Sequence, residues 1–162
     1  MTSRILVPID GSPTAQRGLE EAIRLAVSQS ASLLLLHVID DFPKLREFAS
    51  YEMLAQEQES RAHRPDAMLA AAVREAGAAG VAADSKVVFA VLDLPDTVVD
   101  IAAREGCDLI VIGTHGRRGL SRAMLGSVAE GVARRSAVPV LLVPPARTTA
   151  GPVADSPSSA TA

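Results

Sequence analysis

The chain has 162 residues, 48% of them hydrophobic, enough for one sizeable core and too few for a second full domain. Its formal net charge is -3, with one Tyr and no Trp. That balance argues against polymeric nucleic acid and anionic membrane as partners, which call for a basic excess or for aromatic platforms.

Taken in chain order, the opening Met1 to Asp10 holds a short apolar run broken by Pro8 and closed by an acid, which reads as neither a signal peptide nor a membrane span. With Cys107 the lone cysteine, no internal disulfide is expected, and a cytoplasmic location is the simplest expectation. Ile5 to Ile9, Leu33 to Ile39, Val87 to Val91, Leu109 to Ile112 and Val138 to Val143 are apolar runs without polar alternation, as in strands buried on both faces of a parallel sheet. Between them the spacing turns helical, as in Ala15, Leu19, Ala22, Ile23, Ala26 and Val27, and again in Met68, Leu69, Ala72, Val73 and Ala76. Ser12-Pro13 supplies a cap and a first-turn proline for the first helix, and Gly77 and Gly80 punctuate the end of the second.

This alternation predicts an α/β fold: an open, doubly wound, five-stranded parallel sheet in the order 3-2-1-4-5, Rossmann-like, with helices on both faces. The nucleotide-binding domain is expected over residues 1–146, and residues 147–162, rich in Ser, Thr, Ala and Pro, read as a disordered tail. Asp41 to Asp66, polar and carrying Pro43 and Pro65, reads as a mobile loop. Pro8 marks the end of the first strand or a bulge beside the site.

In such a sheet the ligand lies beyond the carboxyl ends of strands 1 and 4, where the strand order reverses. Strand 1 runs into Asp10-Gly11-Ser12, and strand 4 into a glycine-rich stretch from Gly113 to Ser127. Glycines at 113, 116 and 126 let amides approach an anion, and Ser127-Val-Ala-Glu130 matches a capping box whose helix end would face phosphates. Neither G-x-x-x-x-G-K-[ST] nor a G-x-G-x-x-G after strand 1 occurs, so lysine-dependent phosphoryl chemistry and dinucleotide binding lose support.

Gly113-x-x-Gly116, nine residues, then Gly126-Ser127 resembles the universal stress protein family in its ATP-binding branch, as do Ile5 to Ser12, His37-Val-Ile-Asp40 and Pro139 to Val143. The resemblance covers roughly residues 3 to 144. It implies an ATP-binding regulatory protein of the stress response, Mg²⁺ bridging the phosphates, with at most slow hydrolysis. It places Asp10 on the ribose or adenosine side, Val38 at the adenine edge through its backbone, and Gly113, Gly116, Gly126, Ser127 and the Val128 amide around the phosphates. Pro8 is grouped with these, and Arg117 and Arg118 are added on charge alone. It also implies a homodimer paired through Val138 to Val143. The alternative is an interaction module of the same fold that assembles through that strand and binds no nucleotide. Where the family commonly has glycine before the proline of the third crossover, this chain has Asp93-Leu94-Pro95.

His115 lacks a paired nucleophile and His63 stands alone, so no catalytic residues and no protein metal site are assigned. His37 on its buried strand is expected to be a satisfied core histidine, and Cys107 a small packing residue.

Overall fold

The computed structural model describes residues 3–40, 51–90, 92–114 and 125–145, with the backbone alone described between 51 and 64. The strands are β1 (Arg4–Pro8), β2 (Ser32–Ile39), β3 (Ala83–Phe89), β4 (Leu109–Gly113) and β5 (Val140–Val143). The helices between them are α1 (Pro13–Gln29), α2 (Tyr51–Ala78), α3 (Leu94–Arg104) and α4 (Ser127–Arg135). Among the described residues the four strand pairings are all parallel, and the order is β3-β2-β1-β4-β5, as expected.

Successive strand residues enter opposite cores. Ile5, Val7, Leu33, Leu35 and Val111 meet Leu19, Ala22 and Ala26 of α1 and Leu69, Ala72 and Ala76 of α2. Leu6, Leu34, Leu36, Ile110 and Ile112 meet Val98 and Ala102 of α3 and Ala129 and Val132 of α4. Burial on both faces explains why these strands carry apolar runs without alternation. Cys107 packs into the second core, and burial pushes its thiol pKa up.

Ser12 caps α1 as expected: its Oγ accepts from the Ala15 amide at 3.1 Å, and Pro13 follows at the first helical position. Asp93 does the same for α3, its Oδ1 accepting from the Asp96 amide at 2.9 Å. The departure at Asp93-Leu94-Pro95 therefore serves as a helix cap.

Three expectations need correction. The segment expected to be a loop from Asp41 to Asp66 is helical from Tyr51 onward, while 41–50 lie outside the described residues. Tyr51 to Ala62 is dominated by good helix formers, Glu, Gln, Ala, Leu and Met, and the helix continues through Pro65, which is buried. β3 begins at Ala83, four residues before the expected Val87, because an edge strand tolerates the exposed Asp84 and Ser85. β5 starts at Val140, two residues after Val138.

At the amino ends of the strands, Asp108 ties β1 to β4. Its carboxylate accepts from the Ser3 amide at 2.9 Å, the Ser3 hydroxyl at 2.9 Å and the Arg4 amide at 3.3 Å. These bonds, the Ser3 amide foremost, hold its pKa below the usual carboxylate value. The folded pKa lies below the unfolded one, so the ionised clamp stabilises the fold fully above about pH 5 and is lost as pH falls through the folded value. Asp108→Asn should flatten the acid limb of a stability-versus-pH profile from urea titrations, and parallel limbs would refute the clamp.

Candidate functional site

β1 and β2 remain paired to Pro8↔Leu36, and the Ile9 amide adds a bond to the Leu36 carbonyl at 2.7 Å. The β1 to β4 register ends earlier, at Leu6↔Ile110. The Ser3 carbonyl accepts from β2, at Ser32, and the Arg4 carbonyl from the β4 side, at Asp108. By the alternation of a parallel ladder, the donor that proline lacks at position 8 would have faced β4. Pro8 is thus the last residue of β1, and it stands where β1 and β4 part.

Both chains leaving this cleft are held locally. Asp10 Oδ1 accepts from the Ser12 amide at 2.9 Å, with Gly11 at φ 79 between them, so Asp10 closes its own turn. Ser12 Oγ also lies 3.2 Å from Thr14 Oγ1. On the other side, the Thr114 amide donates to the Val143 carbonyl at 2.9 Å. The Gly126 amide donates to the Thr114 carbonyl at 2.7 Å, which draws the start of α4 back to the end of β4.

That bond changes two sequence expectations. Gly126 is the cap residue of α4, at φ -65 and ψ 143, and Ser127 is the first helical residue, so the capping box proposed for Ser127 is not formed. Glycine is itself an acceptable cap, and the tie to Thr114 fixes the extended backbone one residue before the serine. The Gly126 amide is also spent on Thr114, and the first bond inside the helix runs from the Glu130 amide to the Gly126 carbonyl, so Ser127, Val128 and the buried Ala129 carry the helix-end amides that lack partners inside the helix. Ser127 is exposed and Val128 half-buried.

Gly113 earns its place by packing. A Cβ there would lie 2.6 Å from the Thr14 carbonyl oxygen, so the end of β4 and the start of α1 touch backbone to backbone. Sequence reasoning missed Gly18 and Gly131, whose Cβ positions fall 3.4 Å from the Gly113 nitrogen and 2.6 Å from Pro95 Cγ respectively. A glycine interrupting an otherwise helical pattern was the available signal for both.

His37 is buried, as expected, and its Nδ1 lies 2.6 Å from the Ile9 carbonyl oxygen. The structure thus brings Pro8, Asp10, Gly113, Gly126, Ser127 and Val128 to the β1, β4 and α4 ends, with Val38 on the neighbouring β2. Gly116, Arg117, Arg118 and His115 lie outside the described residues, as does the tail from Thr148.

The model of the universal stress protein family matches residues 1–144. The chain belongs to this family. Universal stress protein YxiE of Bacillus subtilis is 31% identical over 149 residues, covering 88% of this chain and 99% of that protein. The structure of protein MJ0577 of Methanocaldococcus jannaschii, a universal stress protein, superposes with a TM-score of 0.78 at 30% identity, covering 91% of this chain and 99% of that one. A universal stress protein solved in complex with cAMP superposes with a TM-score of 0.65 at 27% identity, over 90% of this chain and 98% of that one.

Among the described residues of this universal stress protein, the amino end of α4 brings backbone dipoles to the β1 and β4 ends. Lys86 is occupied with Glu105, which also pairs with Arg4 at 3.6 Å near the start of β1. Arg135 is held by Asp93 and Asp96, each at 3.3 Å, between α4 and α3. Among the described residues no three His, Cys, Asp or Glu side chains converge as metal ligands.

Proposed function

We propose that this universal stress protein binds an adenine nucleotide across the carboxyl ends of β2, β1 and β4, and acts as a regulator in the stress response. The carrying observation is the 2.7 Å bond from the Gly126 amide to the Thr114 carbonyl, which seats the amino end of α4 beside the cleft where β1 and β4 separate. The Ser127 and Val128 amides and the Ser127 hydroxyl would hold the phosphates, in the field of the helix end. Asp10 would meet the ribose, and Val38 the adenine edge through its backbone. Gly116 completes this assignment from the family motif.

ATP fits this donor set, and Mg²⁺ would ride chiefly on its phosphates, given that no three acidic or imidazole groups converge among the described residues. The bound ion would neutralise phosphate charge. The residues themselves bind and orient the nucleotide. Among the described residues Lys86 is committed to Glu105 and no general base is assigned, so hydrolysis would be slow at most and binding is the function proposed.

One observation supports a further element of the reading, assembly into a homodimer. β5 is an edge strand whose Val140, Leu141 and Leu142 are only partly buried, and such an edge calls for covering or pairing. An interaction module that binds no nucleotide would use the same edge.

Calorimetric titration of Mg·ATP into the wild type and into Gly126→Val tests the nucleotide assignment. Saturable heat in the first and its loss in a folded second are expected, and equal binding by the two would overturn the phosphate site.

A further inference from the structure

The β1 to β2 ladder stops one bond short of where its rhythm would carry it. Even-numbered residues of β2 turn their peptide groups toward β1, as Ser32 and Leu36 do in their bonds to Ser3 and Ile9. Odd-numbered ones face β3, as Leu33 and Ile39 do toward Ala82 and Ala90. Val38 therefore presents its amide and carbonyl on the β1 side, two residues beyond the last β1 partner, Leu36. The next bond in sequence would run from the Val38 amide to the Ile9 carbonyl. Instead, His37 Nδ1 meets that carbonyl at 2.6 Å.

A carbonyl oxygen only accepts, so Nδ1 must carry the hydrogen, and the imidazole is fixed with its proton on that nitrogen. Ile9 is 6% exposed and His37 7%, so the bond lies in the interior, where breaking it leaves a buried acceptor unmet. Ile9 also leads directly into Asp10, whose turn the Ser12 amide closes.

We infer that His37 is a positioning residue: by taking the Ile9 carbonyl it ends the ladder before Val38 and keeps the Val38 peptide open to the adenine edge of a nucleotide. The role rests on the nucleotide reading above, and its structural half is testable without any ligand. The side chain substitutes for one ladder amide, and that leaves a donor and an acceptor of β2 facing the crevice. An adenine edge, which carries both a donor amine and acceptor nitrogens, suits that pair.

The experiment follows amide hydrogen exchange at Val38 by NMR in ligand-free wild type, His37→Leu and His37→Asn, alongside ATP and inorganic triphosphate titrations of each. Leucine removes the donor and should let the Val38 amide close on Ile9, so Val38 exchange slows at least tenfold. ATP affinity should fall about tenfold, and triphosphate affinity should hold. Asparagine, with an amide placed near the Nδ1 position, should restore both.

A Val38 amide already protected in the wild type, or unchanged by leucine, would overturn the positioning role. So would unaltered ATP affinity in a His37→Leu protein whose Val38 has closed. Wild type that shows the exchange contrast but takes up no ATP would refute the nucleotide reading and leave the ladder interruption standing. Should His37→Leu fail to fold, the ¹⁵N shifts of the wild-type imidazole decide the point, since a proton on Nε2 with Nδ1 bare contradicts the assignment.

Discussion

Gly126→Val is expected to lower ATP affinity at least 100-fold, about 2.7 kcal/mol, while the protein stays folded. Position 126 has φ -65 and ψ 143, a backbone that valine adopts without strain. Its amide bond to Thr114 needs no particular side chain. The fold should therefore pay only the difference in capping between glycine and valine, roughly 1 kcal/mol. Under the proposed assignment, a branched side chain one residue before the Ser127 amide would compete with a phosphate for the helix end. The measurement is the titration paired with a urea unfolding curve. Lost binding with an unfolded baseline would show only that the variant is unstable, so the two must be read together.

Gly113→Ala should damage the fold instead. Its Cβ would approach the Thr14 carbonyl oxygen to 2.6 Å, the carbonyl carbon to 2.7 Å and the Ala15 nitrogen to 3.1 Å. These are backbone atoms of the first turn of α1, which Ser12 and Pro13 already hold, so no side chain can swing aside. Overpacking that forces a helix away from its sheet costs about 3 kcal/mol. In a chain of this length that is roughly 6 to 12 °C in Tm, readable by calorimetry. A loss below about 0.5 kcal/mol would mean that α1 and β4 are less tightly apposed than described. The contrast between the two glycines is instructive, because one motif contains a residue required by packing and another proposed for the ligand.

The fold was legible where burial is two-sided or a signal is local. Leu33 to Leu36 are buried among both cores and so form an unbroken apolar run that could only belong inside a parallel sheet. Ser12 and Pro13 cap α1 within four residues of chain, and Gly80, at φ 78, marks the turn after α2. What escaped depends on neighbours that only the fold supplies. Pro65 looked like a breaker, yet α2 continues past it, its later turns held by Leu69, Ala72 and Ala76 in the core. Ser127 and Gly126 both make acceptable caps, and the choice was settled by Thr114, twelve residues away in sequence. The glycine spacing was visible, but which of its amides remain available was not. The His37 bond to Ile9 spans 28 residues, and no pattern in either segment announces it.

The most direct test of the account is thermal unfolding of the full chain with and without saturating Mg·ATP, with Mg·GTP as the control for the base. ATP at 100 times its dissociation constant should add about 2.7 kcal/mol, or roughly 5 to 10 °C. GTP should add little, because its base offers Val38 a different edge. A shift with ATP and not with GTP is the predicted result. No shift with millimolar ATP would contradict nucleotide binding and leave β5 and its pairing as the functional surface.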